Sequence, residues 1–271
     1  MKIDLYDLPT TPPKNVSKQE VLEKIEKLLE EIEEDQRKLY AQGEQSLLII
    51  LQGMDASGKD GTVKKIFSGV NPLGCRVYGF KAPTHEELGH DFLRRVHKIT
   101  PEKWMIHVFN RSHYEDILVP TVEGIYSKKY IDERYEHIND FERLLAHNHT
   151  TVLKFYLHIS PEEQKRRLTD RLQSPEKFRK HNDHDWESRA KWDQYVDVYH
   201  TIFAKCNDTP WHIIPSDENR WKIYLVAKKI AETLKDMHLA WPDLETQKFA
   251  AIVDNDLGID NGNGNGNGKK K

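Results

Sequence analysis

The feature that most constrains this sequence is a short apolar segment followed at once by a glycine-rich loop. Residues 46–53 read SLLIILQG, and residues 53–62 read GMDASGKDGT. A continuous apolar run that ends at glycine is typical of a strand buried on both faces of a parallel sheet. The following segment, VKKIFSGV, has helical spacing. A strand, a glycine-rich turn and a helix, in this order, form the context of a phosphate-binding loop.

The loop carries the groups that a phosphate chain requires. Successive backbone N–H groups and the start of the next helix form a concavity of positive potential. Lys59 is placed to reach terminal phosphates as a point charge. The alternative is a glycine-containing turn that only joins a strand to a helix. On the first interpretation, phosphate or nucleotide contacts Gly53, Ala56, Ser57, Gly58, Lys59, Asp60, Gly61 and Thr62.

Two aspartates make this loop unusual for its class. Asp60 occupies the position where such loops usually have the Ser or Thr hydroxyl that binds Mg²⁺. Asp55 lies inside the loop, where a carboxylate beside phosphates is repelled unless a cation bridges them. Asp55 is therefore a predicted metal ligand or general base. The alternative is a turn residue that accepts hydrogen bonds from backbone N–H groups.

The rest of the pattern predicts a three-layer α/β/α domain of the phosphate-loop kinase type, with a mostly parallel sheet and a helical lid. Short strand-like segments alternate with segments of helical spacing. Besides 46–52, the predicted strands cover 76–80, 104–110, 151–159 and 211–215. The predicted helices cover 18–41, 85–97, 112–118, 132–147, 161–172, 184–205 and 218–237.

The same pattern divides the chain into three parts. Residues 1–16 hold three prolines and are predicted to form an extended arm. Residues 17–240 are predicted to form one phosphate-loop domain, with its lid at about 166–184. Residues 254–271 end in NGNGNGNGKKK, a low-complexity composition that cannot bury a core and is predicted to be disordered.

A second polar cluster, NRSHYED at 110–116, follows the third predicted strand. Ligands of such sheets collect at the carboxyl ends of the strands, so this cluster is expected beside the loop. Arg111 could bind a phosphate through two hydrogen bonds. Asp116 could complete a Mg²⁺ site with Asp55, and Asn110 would line the same cleft. The alternative is a helix start capped by Ser112, with acids in the first turn.

A basic segment after the fourth predicted strand occupies the usual place of a kinase lid. Ser174-Pro175 interrupts its helix. Arg171 is the leading candidate to close on phosphates, with Arg167 and Lys177 as further contacts. The alternative is a solvated basic helix.

Composition narrows the classes of partner. The net charge is −3, which gives no overall attraction to nucleic acid. The sequence shows no apolar run of about 20 residues, the length that spans a bilayer, and the N-terminus lacks the pattern of a signal peptide. The two cysteines, Cys75 and Cys206, have no metal or disulfide spacing. A cytoplasmic, reducing location without a membrane partner is expected.

Six segments occur in a distinctive order along the chain. They are GMDASGKDGT (53–62), FKAPTHEELGHDFLRRVHK (80–98), FNRSHYED (109–116), RLQSPEKFRK (171–180), DWESRAKWDQYVDVY (185–199) and PWHIIP (210–215). In this order they resemble the family-two polyphosphate kinases, and the resemblance covers about residues 10–240. In that family the loop contains Gly-Lys-Asp-Gly, so that Asp60 departs only from the wider class of phosphate loops.

The resemblance implies reversible phosphoryl transfer between inorganic polyphosphate and a nucleotide, with Mg²⁺ as cofactor. It assigns functional positions to Asp55, Lys59, Arg111 and Asp116. A polyanionic chain also needs a basic track, to which Lys81 could belong. Adenine nucleotides are the expected partners, and guanine nucleotides are left open. Aromatic-rich helices indicate a homo-oligomer of undetermined size.

One position separates this chain from many members of the family. They have Asp where this chain has Asn110, and the Phe-Asn-Arg-Ser segment resembles the subgroup that acts on both nucleoside mono- and diphosphates. Two other functions remain open. One is an ATP-dependent nucleoside monophosphate kinase of the thymidylate kinase type. The other is a module that binds nucleotide or polyphosphate without catalysis.

Overall fold

One sheet of five parallel strands forms the centre of the computed structural model, which describes residues 3–243. The strands are β1 (Ser46–Gln52), β2 (Cys75–Gly79), β3 (Ile106–Asn110), β4 (Thr150–His158) and β5 (Trp211–Pro215). Their order across the sheet is β2-β3-β1-β4-β5, and every neighbouring pair is parallel. The chain therefore extends the sheet to both sides of β1, which lies in the middle. The predicted parallel sheet is confirmed.

Helices cover both faces of the sheet and complete the three predicted layers. Leu47, Ile49 and Leu51 of β1 face one apolar core, and Leu48 and Ile50 face the other. The helices are α1 (Lys18–Gln42), α2 (Lys59–Ile66), α3 (His85–Leu88), α4 (Arg94–His97), α5 (Glu115–Val122), α6 (Lys128–His147), α7 (Pro161–Gln173), α8 (His184–Ala190), α9 (Trp192–Lys205) and α10 (Asn219–Asp236). The first core is shared with α1, α2 and α10, and the second with α5, α6 and α9.

Two predicted helices are each divided in the structure. The segment 85–97 contains α3 and α4 because Gly89 ends the first, and the Asp91 carboxylate accepts two backbone N–H groups that begin the next turn. The segment 184–205 contains α8 and α9, with the break at Lys191. Continuous helical spacing did not reveal these local breaks.

Two helices begin at other residues than predicted. The helix after β3 begins at Glu115 rather than at Ser112, whose hydroxyl instead accepts the N–H of Tyr114 in a tight turn. Helix α6 begins earlier than predicted because the Ser127 side chain caps it through the N–H of Tyr130. Ser112, the helix cap in the alternative interpretation, thus shapes the corner between β3 and α5.

The N-terminal segment is packed on the domain. Leu5 is buried, and its N–H donates to His200 Nε2 at 2.9 Å. A short 3₁₀ turn covers Leu5–Asp7, and the carbonyl of Thr10 accepts the N–H of Asp217. Within residues 3–243, no helix is both long enough and apolar enough to cross a bilayer. The predicted disorder of 254–271 lies outside the described residues.

A buried ion pair joins the second core to the corner that follows β3. Lys154 and Glu142 are almost fully buried, and their charged atoms lie 2.7 Å apart. Lys154 also donates to the Tyr114 hydroxyl (2.9 Å) and to the carbonyl of Cys206 (3.0 Å). The network therefore fixes Tyr114, the residue immediately before α5.

Breaking this pair from one side is expected to destabilise the fold strongly. Lys154→Met leaves a buried carboxylate without its cation and should cost roughly 3–5 kcal/mol of unfolding free energy. The double variant Lys154→Met/Glu142→Leu should recover most of that loss. Urea unfolding of both single variants and the double variant measures this as a double-mutant cycle. Additive losses would contradict the coupling.

Candidate active site

The carboxyl ends of β1 and β3 lie side by side at one edge of the sheet. Leu51 of β1 is paired with Asn110 of β3, and the N–H of Arg111 donates to the Leu51 carbonyl at 3.0 Å. The glycine-rich loop therefore leaves β1 beside the point where Asn110 and Arg111 leave β3, as predicted. On the other side of β1, β4 leads into α7 and β5 leads into α10.

The backbone of the loop turns through conformations that require glycine at two positions. Gly53 has φ +146°, and a Cβ there would lie 2.7 Å from the carbonyl oxygen of Leu157. Gly58 has φ +98° and immediately precedes α2. Ala56 also has a positive φ, 61°, which is uncommon for a residue with a side chain. The loop is thus folded tightly around the start of α2.

Lys59 is the first residue of α2, and its side chain folds back over the loop. Its Nζ donates to the carbonyls of Gly53 (2.7 Å) and Met54 (3.2 Å). Burial, and secondly the charge of Arg111, lower the pKa of Lys59 to about 8. A buried ammonium group with few partners is ready to exchange these carbonyls for phosphate oxygens.

Arg111 connects the two clusters predicted from the sequence. Its Nη2 lies 2.5 Å from Asp55 Oδ1, and its Nη1 lies 3.4 Å from Glu115 Oε2. The charge of Glu115, and to a lesser extent that of Asp55, raises the pKa of Arg111 above its usual value. Arg111 has φ +63°, a strained conformation that is fixed by the 3.0 Å bond of its N–H to β1. The guanidinium is thereby held between two acids.

Asp60 and Asn110 form a pair across the cleft. Asn110 Nδ2 lies 2.6 Å from Asp60 Oδ1. Asp60, which departs from the wider class of phosphate loops, therefore contacts Asn110, the position at which many members of the resembling family have Asp. Ser57 and Thr62 are buried, and Thr62 Oγ1 donates to the Gly58 carbonyl at 3.0 Å. Direct contact of these two side chains with phosphate stays a prediction.

Asp116 has a different setting from the one predicted. Its side chain is buried, and Oδ2 lies 2.7 Å from Arg95 Nη2. Arg134 donates to its backbone carbonyl. Burial raises the pKa of Asp116, although Arg95 opposes the shift. The structure therefore holds the Asp116 carboxylate in an ion pair with Arg95, and its role as a second metal ligand stays a prediction.

The predicted lid, at about 166–184, includes the C-terminal part of α7 and a 3₁₀ turn at Pro175–Lys180. Arg171 pairs with Asp185 at 2.5 Å, and Lys177 pairs with Asp170 at 2.6 Å. These two cations are held by carboxylates and would have to exchange partners to close on phosphates. Movement of this segment is a prediction.

Arg167 is placed differently from a mobile lid arginine. It donates to the carbonyls of Ala56 (3.0 Å) and Ser57 (3.2 Å), and its Nη2 donates to two carbonyls after β5, those of Ser216 and Asp217. These bonds tie the loop to the end of β5. Arg167 therefore supports the loop, and its predicted direct contact with phosphate has no geometric support beyond its place in the cleft wall.

Four residues of the site were not found from the sequence. Glu115 pairs with Arg111. Burial, and secondly the charge of Asp55, raises the pKa of Asp185. Gln164 donates to the carbonyl of Asp55 at 3.1 Å, and Lys222 donates to that of Ser57 at 3.0 Å. The available signal for Gln164 and Lys222 was their place in the first turns of α7 and α10, which follow the carboxyl ends of β4 and β5.

These groups surround an open cleft of about 930 Å³. Nine lysine and arginine side chains and four aspartates line it, although the whole chain has a net charge of −3. Such a local excess of cations attracts polyanions. The predicted site residues that line the cleft are Asp55, Ala56, Gly58, Lys59, Asp60, Gly61, Lys81, Asn110, Arg111, Arg167, Arg171 and Lys177.

The sequence and the fold match one family. A family model for polyphosphate kinase 2 matches residues 15–241. The chain belongs to the polyphosphate kinase 2 family. The resemblance drawn from the six segments is thereby confirmed.

Similar proteins support the same assignment over almost the whole chain. An AMP/ADP-polyphosphate phosphotransferase of Meiothermus ruber is 41% identical, covering 92% of this chain and 94% of its own length. An ADP-polyphosphate phosphotransferase of Rhodopseudomonas palustris is 37% identical, with 89% of each chain covered. The crystal structure of polyphosphate kinase 2 from Arthrobacter aurescens TC1 superposes with a TM-score of 0.89 at 35% identity, over 93% of each chain.

The donor groups in the cleft fit a hard divalent cation. Mg²⁺ prefers oxygen ligands and usually takes one or two carboxylates together with substrate phosphates. Asp55 and Asp60 line the cleft. Among residues 3–243, no group of three or more His, Cys, Asp or Glu side chains could hold a metal ion by itself. Asp55 would therefore hold Mg²⁺ jointly with substrate oxygens.

Lys222 makes stability depend on pH in this family member. Burial, followed by the charges of Arg167 and Lys59, lowers its pKa from 10.5 to about 7. Between these values the unfolded chain binds more protons than the native protein, so unfolding free energy rises with pH. The slope from this group is at most about 1.4 kcal/mol per pH unit, and it vanishes below the native pKa.

This slope can be measured by urea unfolding at about pH 7.5 and 8.5, within the window where Lys222 titrates on unfolding. Lys222→Met should show a smaller rise of unfolding free energy than the parent protein. Equal rises in the two proteins would contradict the lowered pKa.

Proposed function

We propose that this protein transfers phosphoryl groups reversibly between inorganic polyphosphate and adenine nucleotides, accepts both AMP and ADP, and uses Mg²⁺. The observation that carries the proposal is the meeting of Lys59, Arg111 and Asp55 at a phosphate loop inside a wide cationic cleft. The names of the relatives, which include an AMP/ADP-polyphosphate phosphotransferase, support the choice of substrates.

In the proposed reaction, an oxygen of the acceptor's terminal phosphate attacks the terminal phosphorus of polyphosphate. The bond from that phosphorus to its bridging oxygen breaks, and the chain becomes one phosphate shorter. Lys59 and the loop N–H groups stabilise negative charge on the transferring group, while Arg111 fixes the acceptor phosphate. Bound Mg²⁺ would neutralise charge on the oxygens of both substrates. Positioning and electrostatics supply most of the catalysis.

Asp55 positions Arg111, whether it also acts as a metal ligand or as a general base. Its 2.5 Å contact with Arg111 orients the guanidinium toward the cleft. When a phosphate binds Arg111, the Asp55 carboxylate is released and becomes available to a metal ion or to the acceptor. Arg171 and Lys177 are proposed to leave Asp185 and Asp170 and to close on the polyphosphate chain, with Lys81 on the opposite wall.

The pair formed by Asn110 and Asp60 supports the acceptance of two nucleotides. An aspartate at position 110 would put two carboxylates within about 2.6 Å, the distance that the amide now bridges. Asn110 removes one negative charge beside the acceptor phosphate, which eases the binding of nucleotides that differ in charge. The homo-oligomer and the cytoplasmic location expected from the sequence belong to this proposal as well.

The test is nucleotide formation from AMP and from ADP with polyphosphate and Mg²⁺ in the absence of ATP. ADP followed by ATP is expected from AMP. Conversion of ADP alone would keep the activity and reject the dual acceptor. Phosphorylation of AMP or dTMP only when ATP is supplied would favour the thymidylate kinase type. Binding of polyphosphate without turnover would favour the non-catalytic module.

Asn110→Asp tests the subgroup argument within the same assay. The added carboxylate beside Asp60 repels the more highly charged ADP more strongly than AMP, so kcat/KM for ADP should fall relative to that for AMP by about tenfold, which corresponds to about 1.4 kcal/mol of added repulsion. Asn148→Asp, at the end of α6, is the control for adding an aspartate outside the site. An unchanged ratio of the two acceptors would show that Asn110 does not set the preference.

A further inference from the structure

Three consecutive carbonyl groups of the phosphate loop are held from outside the loop. Gln164 Nε2 donates to the carbonyl of Asp55 at 3.1 Å. Arg167 Nη1 donates to those of Ala56 and Ser57 at 3.0 and 3.2 Å. Lys222 Nζ donates to that of Ser57 at 3.0 Å. Side chains of α7 and α10 therefore set the orientation of these peptide groups.

The orientation of a carbonyl fixes that of the next N–H group. In a planar trans peptide, the C=O of one residue and the N–H of the next point in opposite directions. Holding the Ser57 carbonyl toward α7 and α10 directs the N–H of Gly58 to the opposite side of that peptide. Gly58 lines the cleft. The amide at the start of α2 is thus oriented by groups that lie outside the loop.

Lys222 contributes to this orientation at very close range. Its Nζ lies 2.1 Å from the position that a Cβ on Gly58 would occupy, so it fills the space that the glycine leaves. The Nζ also donates to Asn219 Oδ1 at 2.9 Å, so it is held between that side chain and the Ser57 carbonyl. Only 1% of the residue is exposed.

The position of this lysine is costly for the fold. Arg167 and Lys59 are the nearest like charges, while Glu218 and Glu163 are the nearby acids. Burial and the two cations disfavour the ammonium form. A methionine of similar length would fill the same space without a charge, so packing alone does not explain a lysine here.

We propose that Lys222 is a positioning residue of the phosphate site, which orients the Gly58 N–H toward the phosphates carried by the loop. The inference rests on the proposed function, because the loop must carry phosphate for this orientation to matter. Lys222 acts on phosphoryl transfer through the loop peptide and contacts no reacting atom.

The test uses Lys222→Met, with Lys228→Met on the same helix as the matched control. In K222M, kcat for ADP formation from AMP and polyphosphate should fall by about 10- to 100-fold, less than the roughly 100- to 1,000-fold cost of removing such a donor, because the Gly58 N–H is still present and loses only its orientation. The KM for AMP should change by less than about threefold, because Arg111 still binds the acceptor. The melting temperature should equal or exceed that of the parent protein. K228M should match the parent protein in all three.

A spectroscopic readout tests the orientation itself. In protein labelled with ¹³C-carbonyl serine and ¹⁵N-glycine, only the glycines that follow a serine, Gly58 and Gly69, show ¹³C coupling, and Ser68→Ala at an exposed serine removes that of Gly69. Tripolyphosphate without acceptor should move the Gly58 proton downfield in the parent protein, and this shift should shrink to less than half in K222M. If K222M does not accumulate in folded form, Lys222→Leu replaces it in both measurements.

The outcomes separate this inference from the proposed function. A folded K222M with kcat within twofold of the parent protein, or with an unchanged Gly58 shift, overturns the role of Lys222 and leaves the transfer activity standing. Loss of folded protein in both K222M and Lys222→Leu also overturns it, because that is a structural role. Absence of both transfer and a tripolyphosphate shift in the parent protein rejects the proposed function instead.

Discussion

Replacing Lys59 by methionine should lower kcat for transfer from polyphosphate by about three orders of magnitude, the scale of losing a cation that stabilises a phosphoryl transition state. In the structure, Lys59 Nζ donates hydrogen bonds to two loop carbonyls, those of Gly53 and Met54. Methionine preserves the length of the side chain and removes the charge. Since the native fold already lowers the pKa of Lys59 to about 8, the loss of charge should not lower the melting temperature.

The matched control for this variant is Lys65→Met. Lys65 lies on the same helix, in its last turn, and is exposed. Its replacement should change kcat by less than about twofold, as expected for an isolated surface cation. A K59M protein that retained a tenth or more of the parent activity would show that the loop does not hold the transferring phosphate.

Replacing Asp55 by asparagine should lower kcat by about 100- to 1,000-fold. The change removes the charge that holds Arg111 at 2.5 Å and removes one expected ligand of Mg²⁺. Asparagine keeps the shape of the side chain, so the loop should remain folded. Activity measured as a function of Mg²⁺ concentration is the informative experiment, because it separates the two roles that the sequence left open.

If Asp55 binds the metal, D55N should need a higher Mg²⁺ concentration for half-maximal activity, and excess Mg²⁺ should restore part of kcat. If Asp55 acts as a base, kcat should stay low at every Mg²⁺ concentration. Asp140→Asn, an exposed aspartate of α6, should behave as the parent protein does. Full activity of D55N would leave Asp55 as a turn residue only.

Local sequence signals predicted the central part of this site well. The apolar run of β1 ends at Gly53, and β3 ends at Asn110, so the parallel sheet brings the loop and Arg111 together. Both signals lie within a few residues of the side chains that they place. The strand bounds of β1 and β5 agree with those predicted for the same reason, because a continuous apolar run between turn residues marks both ends.

The supporting groups were missed because they depend on contacts between segments far apart in the chain. Lys222 reaches the loop from a position 165 residues after Ser57. Its place in the first turn after β5 puts it at this edge of the sheet, but the local sequence does not identify the carbonyl that it contacts. Arg167 was predicted as a lid residue from its place in a basic run, yet its hydrogen bonds tie it to loop carbonyls. A basic run in the sequence does not show whether one of its arginines belongs to a mobile lid or supports the loop.

The setting of Asp116 shows a similar limit. Its spacing after β3 suited a metal ligand, but Arg95 from α4 lies 2.7 Å away and pairs with it. The partner comes from a segment that was predicted as part of one continuous helix and that the structure divides at Gly89. An error in the local structure therefore concealed the cation that holds this acid.

The most direct test of the central claim is a single turnover with polyphosphate labelled with ³²P in its terminal phosphate. Enzyme in excess is mixed with the labelled chain, AMP and Mg²⁺, without ATP. The account predicts that the label appears in the β-phosphate of ADP in the parent protein and that K59M forms about a thousandfold less in the same time. Label that stays in polyphosphate, with AMP phosphorylated only after ATP is added, would contradict it.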